Sequence, residues 1–338
     1  MKIMKFKYLL TAALALSLLS CAQSSKEGKN DAAKAYFDAW VSQNYPNAVK
    51  TPLGVYILSD TPGAGALPGN APFVRLNYSY YTLSGDLVST TREEVARQND
   101  LYSKTAYYGP GFGFRGDDLS LMSAGLEETV AGMRVGGRRI VAVPGWLDES
   151  ERYDTEEEYL EHCSGTDYIY DIELVEAIDD VEVWEQDSLA RYMARNYPEA
   201  REDSLLTGFY YICLDEGNGK PIANDSTVYV NYTGRRLDGV TFDTTVADTA
   251  KVWGLSKSSF SPAQINWFAS GGDYTSITMG SDKNDALAGF AYALSKMHQM
   301  EKGICFFCST HGYSSTGSGT KIPAYCPLIF ELEMTEEP

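Results

Sequence analysis

The stretch VRLNYSYYTLSGDLVSTT (Val74–Thr91) returns later in the chain as VYVNYTGRRLDGVTFDTT (Val228–Thr245). Each copy has the pattern of a strand, a turn and a second strand, with an Asn-Tyr pair at the same place. The repeat is wider than these two segments. GVYILSDTPGAG from Gly54 precedes the first copy, and GFYYICLDEGNG from Gly208 precedes the second at the same distance. Before each lies a helix-like segment ending in Asn44-Tyr45-Pro46 or Asn196-Tyr197-Pro198. Long-period self-similarity of this kind means two copies of one folding unit. It also supplies an internal control. Residues that both copies keep are candidates for the fold, and residues that one copy keeps are candidates for chemistry.

A chain of 338 residues suits two domains of ordinary size, and a hydrophobic fraction of 44% allows each a real core. The formal net charge of −18 makes the chain a poor partner for nucleic acid, whose phosphates it would repel. His162, His298 and His311 are too few and too scattered for a metal site, so no metal is expected. Beyond Cys21 five cysteines remain, an odd number that forbids complete intramolecular pairing. Cys305 and Cys308 have redox-motif spacing, but they lie in an apolar run with strand character, where i and i+3 point to opposite faces. They are expected to be buried small hydrophobes.

Residues 1–20 have the form of a secretion signal: Lys2, Lys5 and Lys7, then an apolar run from Tyr8 to Leu19 that is short for a membrane span. The run ends Leu18-Leu19-Ser20-Cys21, which resembles the bacterial lipoprotein signal. That resemblance implies acylation of Cys21 and a lipid anchor of two or more chains. Residues 21–30 are small and polar and make a tether.

Periodicity predicts a helix over Asp31–Gln43 and a first β-rich unit with strands near Val55–Leu58, Val74–Tyr81 and Asp86–Thr90. A short helix and strand follow over Ser123–Pro144, then a strand at Tyr168–Ile178. The Gly-rich GPGFGFRGDD (Gly109–Asp118) has the composition of a flexible connection. Asp179–Asp187 has that of an acidic connector, followed by a helix near Ser188–Arg195. The second unit has strands near Phe209–Leu214, Thr227–Tyr232 and Thr241–Thr244. Then come an aromatic insertion at Val246–Asp273, a strand at Thr275–Met279, a helix at Leu287–Lys296, and strands at Ile304–Ser309 and Leu328–Met334. Many strands with one short helix per unit argue for an α+β class, a curved antiparallel sheet wrapped over a short α-helix.

The second unit resembles the FKBP-type peptidyl-prolyl cis–trans isomerases. VYVNYTGRRLDGVTFDTT is similar to the strand pair of that family, ALAGFAYALSKM to its helix, and HGYSSTGSGTKIPAYCPLIFELEM to its flap and last strand. The three blocks, in family order, span Gly208–Met334. The resemblance implies two FKBP-like domains, each preceded by an N-terminal helix: a degenerate one over 31–178 and an isomerase domain over 187–338. It implies that Tyr232, Phe242, Asp243 and Tyr313 are the catalytic set, and that Leu287, Phe290, Ile322 and Phe330 bind substrate. Phe290 stands where the family commonly has Trp, and Tyr313-Ser314 where it has Tyr-Gly.

Those residue types suit the chemistry. Rotation about an amide costs about 18–20 kcal/mol because resonance is broken. The twisted transition state is less dipolar than the planar amide, so an apolar aromatic pocket favours twist over plane. Phe242, Phe290, Ile322 and Phe330 would supply the pocket. Tyr313 would hold a flanking carbonyl, and Tyr232 would orient the Asp243 carboxylate. His311, beside the flap, has no acid–base role to play because no proton is transferred.

In the first unit Tyr78 is kept, but Phe-Asp has become Val88-Ser89, and the flap with its Tyr and Ile-Pro is missing. That copy is expected to bind or space rather than catalyse. The whole chain is then expected to be a lipid-anchored isomerase of the bacterial cell envelope, on the outer membrane facing the periplasm. Its partners would be proline-containing polypeptide clients and the membrane, with no nucleic acid. The alternative is a non-catalytic envelope chaperone or assembly scaffold.

Overall fold

The computed structural model describes residues 28, 30–115 and 122–336. The expected signal at 1–20, Cys21 and most of the expected tether lie outside the described residues. The chain is α+β, and among the described residues every strand pairing is antiparallel.

Helix α1 (Asp31–Asn44) buries Phe37 and Val41, one turn apart, and Tyr45-Pro46 ends it. The first sheet follows: β1 (Val49–Lys50), β2 (Tyr56–Thr61), β3 (Phe73–Thr82), β4 (Leu87–Thr90), β5 (Gly111–Phe114), β6 (Arg138–Val143) and β7 (Tyr168–Ile178). Its order is β1-β2-β6-β7-β3-β4, with β5 also on β3. Three short helices interrupt it: α2 (Glu93–Gln98), α3 (Ala124–Val130) and α4 (Glu156–His162). Helix α5 (Val181–Asn196) leads to the second sheet. This has β8 (Phe209–Asp215), β9 (Thr227–Arg236), β10 (Thr241–Thr244), β11 (Ala263–Asn266), β12 (Thr278–Met279), β13 (Asn284–Asp285), β14 (Lys302–Phe307) and β15 (Leu328–Thr335). Helix α6 (Ala247–Trp253) precedes β11, and α7 (Ala288–Ser295) precedes β14.

The second sheet runs β13-β12-β11-β9-β15-β14-β8, with β10 also on β9. Its path β8-β14-β15-β9 repeats the path β2-β6-β7-β3 of the first sheet, and β10 and β11 repeat β4 and β5. The register agrees through the middle of the central strands. Tyr80 pairs with Tyr170 as Gly234 pairs with Phe330, and Tyr78 with Ile172 as Tyr232 with Leu332. The backbone N–H of Tyr78 donates to the Thr91 hydroxyl (2.9 Å), and that of Tyr232 to the Thr245 hydroxyl (2.8 Å). Both short helices lean on their sheets through a glycine. A Cβ on Gly125 would collide with Val143, and one on Gly289 with the ring of Phe307.

Two sequence expectations are corrected, and the aromatic insertion, for which the sequence predicts no elements, acquires them. The Gly-rich stretch expected to be a flexible connection forms β5 over Gly111–Phe114, hydrogen-bonded to Phe73–Leu76; glycine composition concealed a strand. The aromatic insertion is partly sheet, since β11 pairs with β9 from Thr227 to Val230. The acidic connector is helical from Val181. Asp180 caps that helix by accepting from the N–H groups of Glu182 (3.0 Å) and Val183 (3.1 Å). Val181, Glu185, Leu189 and Met193 form its buried stripe. Cys305 and Cys308 are buried free thiols in two different apolar clusters.

Candidate active site

The second sheet and α7 enclose an apolar cluster that contains Phe242, Phe290, Ile322 and Phe330, with Tyr232, Leu287 and Tyr313 packed against it. All the expected pocket residues of the second unit are therefore together, drawn from β9, β10, the start of α7, the flap and β15. The four floor residues are nearly closed to solvent, at 2–5% exposed. Their rings meet edge to face: Phe242 on Phe330 (centroids 5.7 Å apart), Phe290 on Phe330 (5.2 Å) and Tyr232 on Phe290 (5.7 Å).

A local defect in the sheet brings the acid to this floor. The pairing of β10 with β9 shifts between Thr241 and Asp243, so Phe242 is the extra residue of a bulge. A bulge re-aims side chains, and here it lets two successive residues serve one site. Phe242 enters the apolar floor, while Asp243 stays at the rim and accepts a hydrogen bond from the Tyr232 hydroxyl (2.7 Å). Its other oxygen accepts from the backbone N–H of Thr244 (2.9 Å). Burial, reinforced by the hydrogen bond to Asp243, pushes the Tyr232 phenol well above its ordinary range. Burial also raises Tyr313, and the Asp243 charge adds to the rise, so the flap tyrosine lies within electrostatic reach of the same carboxylate. Both phenols stay protonated at neutral pH and available as donors.

One residue of this site carries no sequence signal. Lys257, in the insertion after α6, forms an ion pair with Asp243, and its ammonium lies 5.4 Å from the centre of the Tyr232 ring. The partners are about one third exposed. Lys257 lies between α6 and β11, where the first unit has its own α2-to-β5 segment but no acid beside the bulge for a lysine to meet. From the flap, the Lys321 ammonium donates to the Phe242 carbonyl (3.3 Å). His311, beside the flap, donates its Nε2–H to the Thr207 carbonyl (2.9 Å).

This is a greasy floor with a polar rim of oriented hydroxyl and carboxylate groups. Comparison with known proteins agrees. Residues 218–335 match the family described as FKBP-type peptidyl-prolyl cis-trans isomerase. The FKBP-type 22 kDa peptidyl-prolyl cis-trans isomerase of Escherichia coli is 25% identical over 146 residues, which are 43% of this chain and 58% of that protein. The chain thus matches little more than half the length of that relative. Among solved structures, the three FKBP domains of wheat FKBP73 are 16% identical; the match covers 83% of this chain and 93% of that one, with a TM-score of 0.29. FkpA from Escherichia coli is 21% identical over 47% of this chain and 60% of its own, with a TM-score of 0.31. The C-terminal region of this chain carries an FKBP-type peptidyl-prolyl cis–trans isomerase domain.

Proposed function

We propose that the chain is a lipid-anchored isomerase of the bacterial envelope that assists the folding of exported proteins by rotating their X-Pro bonds. The observation that carries the catalytic part is the Tyr232–Asp243 hydrogen bond set against the Phe242–Phe290–Phe330 floor. X-Pro bonds populate both isomers and exchange over tens to hundreds of seconds, slowly enough to limit folding. In the proposed mechanism the prolyl ring rests on the aromatic floor. The imide carbonyl rotates out of plane against the Asp243 carboxylate, which Tyr232 and Lys257 hold in place. The Tyr313 hydroxyl holds a neighbouring carbonyl. No bond is made or broken and no proton moves, so the rate gain comes from binding the rotated state better than the planar one.

The envelope part of the reading is supported by the signal-like residues 1–20 and by Cys21, with acyl chains as the membrane anchor and a placement facing the periplasm. The clients would be proline-containing polypeptides.

The test is a prolyl-peptide isomerisation assay on the full chain. Asp243→Ala is expected to lower kcat/KM roughly tenfold, about 1.4 kcal/mol of transition-state binding. A variant as fast as the parent would remove Asp243 from the mechanism. Suppression of client aggregation that survives the substitution, from a parent with no isomerase activity, would favour the chaperone reading instead.

A further inference from the structure

Arg236, the last residue of β9, is 2% exposed. A buried guanidinium needs partners for its forked donors, and these come from three places. Asp238, in the turn after β9, accepts from Nε (3.1 Å) and Nη2 (2.9 Å). The Lys321 carbonyl in the flap accepts from Nη1 (2.6 Å). The carbonyls of Thr105 and Ala106, in the first unit, accept from Nη1 (3.1 Å) and Nη2 (3.3 Å). The guanidinium also lies 5.4 Å from the centre of the Tyr107 ring.

Two more contacts repeat this linkage. The Tyr107 N–H donates to the Thr320 carbonyl, one residue before Lys321 (2.8 Å). At the far end of the flap the Tyr325 ring sits among Phe112 (5.2 Å), Phe73 (5.9 Å) and Phe114 (6.0 Å), all three from the first unit. Ile322, one of the floor residues, lies between these holds. The flap is therefore gripped on both sides of Ile322 by a unit that has lost the Phe-Asp pair of its own cleft.

We propose that the first unit is a positioning element for the catalytic flap, with Arg236 and Tyr325 as the positioning residues. A flap segment held by backbone and ring contacts presents Tyr313 and Ile322 in one arrangement, and preorganisation of this kind is what a binding site gains from a supporting shell. The first unit then needs its fold and its Thr105–Tyr107 loop, and has no need of an acid in its cleft.

The proposal rests on the isomerase reading of the site, and the experiment separates the two. In the full chain, Arg236→Met, Arg236→Lys and Phe112→Ala are compared by steady-state isomerisation, with kcat and KM resolved, and by hydrogen exchange at the amides of residues 318–325. Phe112 belongs wholly to the first unit, so it remains informative if Arg236→Met fails to fold. Arg236→Met and Phe112→Ala should each lower kcat/KM by roughly 2- to 30-fold. Each should also speed exchange in the flap while leaving β9 and β15 protected. Arg236→Lys, which keeps the charge but not the fork, should fall between parent and Arg236→Met. Flap exchange at the parental rate in both Arg236→Met and Phe112→Ala would overturn the proposal. A parent chain without isomerase activity would overturn the function reading alone, because flap exchange decides the positioning claim by itself.

Discussion

Tyr78 in the first unit and Tyr232 in the second occupy the same place in the same strand, yet only one faces an acid. Tyr78 neighbours Val88-Ser89, whereas Tyr232 donates to Asp243 beside Phe242. Both hairpins carry the bulge at the same position, at Val88 and at Phe242. Both keep the Thr91 or Thr245 clasp and the glycine that lets a helix approach its sheet. The backbone device that can aim an acid at the floor is thus present twice and armed once. In the first unit Tyr80 occupies the register position of Gly234 and stacks on Tyr170, with centroids 5.0 Å apart. What remains of that cleft is a cavity of about 250 Å3 lined by Tyr78, Tyr80, Leu126 and Tyr170 among others. Fold and chemistry separate cleanly along the repeat.

The largest expected asymmetry lies at the bulge. Phe242 is 5% exposed and Val88 is 40% exposed. Phe242→Ala should cost about 3–5 kcal/mol, the usual price of deleting a buried aromatic ring. Val88→Ala should stay within about 0.5 kcal/mol, as surface changes do. Calorimetry of the full chain measures both, and equal losses would break the claim that only one bulge anchors a core.

A smaller effect is expected at Gly234. A Cβ there would lie 2.7 Å from one atom of the Phe242 ring and 2.9 Å from one of Phe330, so Gly234→Ala overfills the floor. It should destabilise by about 1–3 kcal/mol. It should also depress isomerisation, because the displaced rings are the floor itself. The first unit accommodates tyrosine at that register because Val88 does not enter its core. A Gly234→Ala chain with parental stability and activity would show that the floor is looser than its ring geometry implies.

Much of this was legible in the sequence, for physical reasons. The repeat fixed the unit, because strand alternation and turn glycines must recur when one fold is used twice. The separate blocks of the site were readable because each sits on a strand, helix or flap with its own pattern. Lys257 was not, since its segment shares a helix with its counterpart between β4 and β5 but no sequence pattern, and it reaches Asp243 only through the path of the chain. Strand β5 was hidden by glycines, which carry no alternation signal. Helix α5 was foreshortened because Asp179, Asp180, Glu182 and Glu185 have the composition of a solvated connector. One of those acids is a helix cap, and another is buried.

That buried acid gives the finest test of the comparison. Glu185 is 2% exposed and accepts from the N–H (2.5 Å) and hydroxyl (2.7 Å) of Ser309, at the turn after β14. The equivalent turn after β6 presents the N–H of Gly145, which donates to Asp167 (2.8 Å). The same orphan donor is met by carboxylates from different elements. Burial pushes both carboxyls up, against the lowering effect of these hydrogen bonds. The folded values therefore exceed the unfolded ones, and the protonated acids favour the fold. This contribution is full below the ordinary values of 4.5 for Glu185 and 3.8 for Asp167, and is lost as pH rises through the folded values. Glu185→Gln, neutral throughout, should flatten that decline and gain stability relative to the parent as pH rises toward neutrality. Asp167→Asn should do the same more weakly, because Asp167 is less buried. Stability against urea, followed from pH 4 to pH 8, reads both slopes. A Glu185→Gln chain that loses stability relative to the parent at neutral pH would mean that the ionised carboxylate is worth more to the Ser309 turn than burial takes from it.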